Sequence, residues 1–241
     1  MDAPATRQQM QSQKSQQPSL WLCAGFWICT LIAVVVVVRR VATLAFPSSS
    51  APPQVAALDS WFTSHAALTL AHILIALLFV CVAPFVVFPR FTKAAWPEHL
   101  IFPIGAMVGV TAYAMSVYSV GGWIERSAVL FFNSLFLYSL FRAYQYRQRG
   151  EPLLKRRWLL RAIVILLGIA TTRPVMGVFF ATSRLTHLTP SQFFGIAFWI
   201  GFSINTIAIE LWLRLHDRQF DDRQLQSHPS QTERTALTPG Q

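Results

Sequence analysis

An apolar run of about 20 residues narrows the folds open to a chain more than any other feature, because as a helix it crosses the ~30 Å hydrocarbon core of a bilayer. Here such runs recur. Charges gather in the gaps between apolar segments at about 20–38, 66–88, 100–120, 126–146, 158–180 and 193–213. Only 12% of the chain is charged and 54% is hydrophobic, whereas a soluble domain would carry about 25% charged residues. The expected architecture is therefore all-α: an integral membrane bundle of six transmembrane helices spanning residues 20–213, between disordered polar tails at 1–19 and 214–241. The amino-terminal tail is Gln- and Ser-rich with no apolar periodicity, a composition that cannot bury enough apolar surface to order itself. The first apolar run is too long for a signal-peptide core and is followed at once by Arg39-Arg40, so it reads as an uncleaved helix.

Punctuation supports these divisions. The Pro/Ser segment 46–54, Gly121-Gly122 and Gly150-Glu151-Pro152 break the chain between spans. Thr189-Pro190-Ser191-Gln192 has a Thr at N-cap, Pro at N1 and Gln at N3, a capping-box start for the last span. Gly105 and Gly109 stand four apart in the third span, a spacing that lets a neighbouring backbone come close.

The net charge of +10 would point to nucleic acid on a soluble fold. Distributed in the gaps of a hydrophobic chain it instead reports orientation, and no nucleic-acid partner is expected. With six spans, 14 Lys and Arg fall on the side of the two termini and 4 on the other. By the positive-inside rule both termini are cytoplasmic, in a cell (inner) membrane. The basic segment Arg142–Arg157 then faces the cytoplasm, where it can meet anionic lipid headgroups of the bilayer. Cys23, Cys29 and Cys81 lie in apolar runs without ligand spacing, which argues against metal or disulfide roles.

Polar residues inside the spans are the candidates for function. Arg161 and Arg173 interrupt the fifth span, and a charge near the midplane costs roughly 2.5–3.5 kcal/mol on insertion scales. At 1.5 Å per residue, His72 and Arg173 each lie on the order of 9 Å inside the outer boundary. Tyr113, Asn133 and Thr172 fall in the same layer, so these five form a candidate ligand-binding polar layer. Arg161 and Glu210 both lie about one turn from the inner edge, which suggests a structural ion pair; snorkelling to headgroups is the other reading. No metal site, catalytic constellation or nucleotide-binding motif is present in the sequence, and no cofactor is expected. A haem gripped by two histidines finds only weak partners for His72 in His65, His99 and His187.

The run from His72 through PFVVFPRF, the Arg157–Arg161 segment RWLLR, and above all ATTRPVMGVFFATSRLTHLTPSQFFGIAFWIGF at 170–202 resemble the predicted multi-pass membrane proteins of domain of unknown function 2306. The resemblance covers about residues 60–213 and implies a multi-pass bundle, without supplying an activity. Three functions are compatible with the sequence. The first is a membrane protein that binds or moves a small ligand through its polar layer. The second is a membrane oxidoreductase binding haem or quinone, and the third is a structural or assembly subunit docking partners through its basic cytoplasmic loop.

Overall fold

The computed structural model describes residues 20–45, 65–88, 96–186 and 189–227. The expected tail at 1–19, most of the gaps holding Arg90 and Lys93, and His187 lie outside them. The described residues are all-helical, without strands. In chain order the helices are α1 Leu20–Ala45, α2 Ala66–Val87, α3 Trp96–Ser116, α4 Gly122–Gln148, α5 Pro152–Leu166, α6 Gly168–Thr186 and α7 Pro190–Ser227.

Five of the segments are long and apolar enough to cross a membrane: α2, α3, α4, the α5–α6 unit over Pro152–Thr182, and Gln192–Leu215 of α7. In α1 the qualifying apolar stretch, Cys23–Arg39, is shorter, so among the described residues five segments have the length and hydropathy of a crossing where the sequence suggested six. Large apolar side chains such as Leu31, Leu74, Leu78, Val110, Ile204 and Leu211 point outward. Helices apolar on both their inner and outer faces suit a lipid surround rather than water.

Several boundaries differ from expectation. α3 starts at Trp96 and stops at Ser116 instead of spanning 100–120, and α4 begins at Gly122, four residues before the expected start. Glu98 and Glu125 stand in the first turns of α3 and α4, where carboxylates are favoured because the free N–H groups donate to them. α7 continues to Ser227, past 213 where a disordered tail was expected to start; a polar stretch can extend a helix already nucleated by its packed apolar part.

The turns explain why the helices stop. Gly122 has φ +60° and Gly150 φ +71°, conformations open to glycine at no steric cost. At the end of α4 the Glu151 N–H donates to the Tyr146 carbonyl at 3.0 Å and the Gly150 N–H to Arg147 at 3.2 Å. These are the paired bonds of a Schellman cap. Pro152 then opens α5 at its first position. At the start of α7, Gln192 Oε1 accepts the Thr189 N–H at 3.0 Å, one half of a capping box.

α4 is the central helix, packed against α3, α5 and α7, while α2 pairs with α3, α6 pairs with α7, and α1 rests on α2 and α6. Phe79, Ile101, Phe136, Ile163 and Ile209 are essentially fully buried between them. The Gly105/Gly109 spacing does bring helices close. A Cβ at Gly105 would lie 2.7 Å from Leu140 Cδ2, so a side chain there would have to displace Leu140 from its packed position.

Candidate functional site

α2 begins, α3 ends and α4 begins at one end of the bundle. From that end a cavity of about 360 Å³ runs inward among α1, α2, α3, α4, α6 and α7. Of its polar residues, Thr69, His72, Ser116, Tyr118, Ser119 and Glu125 belong to the first two turns of α2 and α4, the end of α3 and the connecting turn, while Arg39 stands on α1, Arg173 on α6 and Asn133 eleven residues into α4. Val80 and Phe136, which lie fourteen residues into α2 and α4, line its other end, roughly 20 Å deeper at 1.5 Å per residue. Most of the polar lining thus gathers toward the end of the bundle where α2 and α4 begin.

Glu125 is buried in the first turn of α4, and its Oε2 accepts the Gly121 N–H at 2.6 Å. The close approach of α7 shelters it. A Cβ at Gly195 would lie 2.7 Å from the Glu125 backbone nitrogen, so only glycine lets that backbone pass. The next residue, Arg126, reaches the other way. Its Nε donates to the Ser116 carbonyl at 3.0 Å and its Nη2 to Val117 at 2.6 Å. A carboxylate caps α4 and a guanidinium caps α3, each complementing the helix dipole it faces.

His72 lies one turn deeper. Its Nδ1 is 2.8 Å from Thr111 Oγ1, and that hydroxyl lies 2.8 Å from the Met107 carbonyl and 3.0 Å from Val108. A hydroxyl has one hydrogen, and here the carbonyls of the preceding turn take it. With the hydrogen on a carbonyl, Oγ1 accepts from His72, and the imidazole proton then sits on Nδ1 with Nε2 as the acceptor of the ring. Asn133 donates through Nδ2 to the Gly109 carbonyl at 2.9 Å. Arg173 enters from α6 and lies near enough to Glu125 for the two charges to attract. Pro174 follows it, so the Ala170 carbonyl, on the cavity wall, lacks its usual helical donor.

Of the five residues of the expected layer, the structure brings His72, Asn133 and Arg173 to one cavity. Tyr113 and Thr172 do not line it. The Tyr113 hydroxyl pairs with Ser134 Oγ at 2.7 Å, while Thr172 is fully buried, donates to the Ile169 carbonyl at 2.6 Å and packs where Gly201 admits it. One residue along a helix rotates the side chain by about 100°, and that rotation decides which wall a residue joins. Glu125, Arg39 and Thr111 were missed as site residues. For Glu125 the available signal was an acidic residue just after Gly121-Gly122, at the position of a first helical turn.

A second polar unit holds the interrupted helix. The α5–α6 span breaks at Leu167, which exposes carbonyls that hydrocarbon cannot satisfy. Asn205 of α7 answers both sides: Nδ2 donates to the Val164 carbonyl at 3.0 Å, and Oδ1 accepts from Thr171 Oγ1 at 2.7 Å. Toward the opposite end of the bundle, Arg161 meets Glu210, with Nε to Oε1 at 2.5 Å and Nη2 to Oε2 at 3.2 Å. The Arg161 guanidinium also lies 4.5 Å from the Trp158 ring centroid. Lys155 bonds Glu98 at 2.8 Å, Arg147 bonds His99 at 3.0 Å and Arg142 bonds Tyr146 at 2.7 Å. Much of the basic segment is thus tied to the bundle.

Among the described histidines, His65 and His72 share one helix end, with the His65 ring tilted against Tyr118 at 4.0 Å, and His99 is at the far end with Arg147. Among the described residues no cluster of three His, Cys, Asp or Glu could hold a metal ion. Fold and cavity together define a helical apolar bundle compatible with a multi-pass membrane protein. No family model, curated protein or solved structure matches the chain.

Proposed function

We propose that this is a six-span protein of a cell (inner) membrane, with cytoplasmic termini, that binds a small amphiphilic ligand in the cavity of its outer half. The likeness of 170–202 to domain of unknown function 2306 proteins accords with the multi-pass arrangement, and the 14-to-4 division of Lys and Arg supports the orientation. α1 supplies the sixth crossing, since its 26 residues reach ~39 Å at 1.5 Å each. The carrying observation is the cavity itself, with most of its polar side chains toward its mouth and a largely apolar wall. Its volume falls within the range of small-molecule sites, about 300–1,000 Å³. On the cytoplasmic side, exposed Arg149 is placed to meet anionic headgroups.

The test fills the cavity. Ala112 lies on its wall, so Ala112→Phe should block it. Native mass spectrometry of the full chain in detergent, titrated with dodecanol and with lauric acid, should show a 1:1 complex with at least one probe that Ala112→Phe lowers about tenfold without lowering the melting temperature. Equal binding by both proteins, or none by either, would overturn the reading.

A further inference from the structure

Three properties of the cavity narrow its ligand further, on the basis of the binding reading above. The first is charge. Glu125 and Arg173 both line the cavity and carry opposite formal charges, so an ionised headgroup of either sign would meet a like charge there in low dielectric. The remaining cation on the wall, Arg39, is exposed on α1. The second is hydrogen bonding. His72 Nε2 is left as an acceptor, with no partner among the described residues, and asks for a donor. The Arg173 guanidinium brings five N–H donors to the cavity wall, where a ligand oxygen can accept from it. A hydroxyl both donates and accepts.

The third property is the wall. Phe132, Phe136, Phe180, Phe194, Phe198 and Phe202 all line the cavity. Phe132 and Phe202 stack at 5.3 Å and 20°, and Phe194 and Phe198 at 5.2 Å and 27°. Parallel aromatic faces select planar rings, which gain from offset stacking beyond what buried area alone gives. A saturated chain would be served as well by leucine and valine.

We infer that the ligand carries a neutral hydroxylated aromatic ring on an apolar tail, the chemistry of a hydroquinone, with a ring hydroxyl donating to His72 Nε2 and its oxygen accepting from Arg173. The ring lies among Phe132, Phe180, Phe194, Phe198 and Phe202, and the tail extends toward Val80 and Phe136.

The experiment uses the full chain in detergent with decylhydroquinone kept reduced, its dimethyl ether, lauric acid and dodecanol. Decylhydroquinone should bind 1:1 and the ether about tenfold more weakly, the loss expected for one buried hydrogen bond. His72→Phe should weaken decylhydroquinone about tenfold and leave the ether unchanged. A readout needing no variant is the histidine ¹⁵N spectrum, in which the His72 Nε2 signal should move on adding decylhydroquinone and stay in place with the ether. Equal affinity for hydroquinone and ether, or tighter binding of lauric acid, would overturn the inference. If dodecanol or lauric acid binds, sensitive to Ala112→Phe, while decylhydroquinone does not, the ring inference falls and the cavity reading stands. If no probe binds, both fall.

Discussion

Arg161 and Glu210 offer the sharpest energetic test of the bundle, because the pair can be dismantled from either side. Two charge-assisted hydrogen bonds join them, with Arg161 18% and Glu210 37% exposed. Such bonds contribute roughly 1.5–3 kcal/mol when protected, exposed ion pairs about 0.2–1, and interhelical polar pairs in membranes average about 0.6 with a maximum near 1.7. The exposure of Glu210 argues for the lower part of that range, a coupling of about 1–1.5 kcal/mol. Arg161→Ala also removes the contact over Trp158, which adds about 0.5–1 kcal/mol. The expected costs are therefore about 2 kcal/mol for Arg161→Ala, about 1–1.5 for Glu210→Ala and about 2 for the double variant. The assay is reversible unfolding of the purified chain from mild detergent into SDS, followed by tryptophan fluorescence. Additivity within about 0.3–0.5 kcal/mol would refute the reasoning, since residues that do not meet behave that way.

Two further perturbations follow from the packing. Asn205→Leu strips partners from the Val164 carbonyl and the Thr171 hydroxyl at the break in the fifth span; it should cost about 2–3 kcal/mol and speed amide exchange near Leu167. A cost below about 0.5 kcal/mol would show that the break needs no clamp. Gly195→Ala puts a methyl against the Glu125 backbone and should destabilise by about 1–3 kcal/mol. Gly177→Ala, with nothing within 4 Å, should be neutral or stabilise by up to about 1 kcal/mol, and thermal melts of the two variants compare them directly.

The sequence alone determined what depends on composition and distance along the chain. Apolar length set most of the helices, Gly122, Gly150 and Pro152 set their turns, and residue counts set depth. That is why His72, Asn133 and Arg173 could be assigned to one layer and Arg161 matched to Glu210. Only the tertiary structure decided rotation about each helix axis. Packing against neighbours fixes it, and spans apolar on every face carry little pattern to reveal it. Hence Thr172 turned to Gly201 while its neighbour Arg173 turned to the cavity, and Glu125, which hydropathy leaves at a helix edge, became buried because α7 closes over it at Gly195. The break at Leu167 was likewise hidden, since the residue that makes it tolerable, Asn205, stands on another helix.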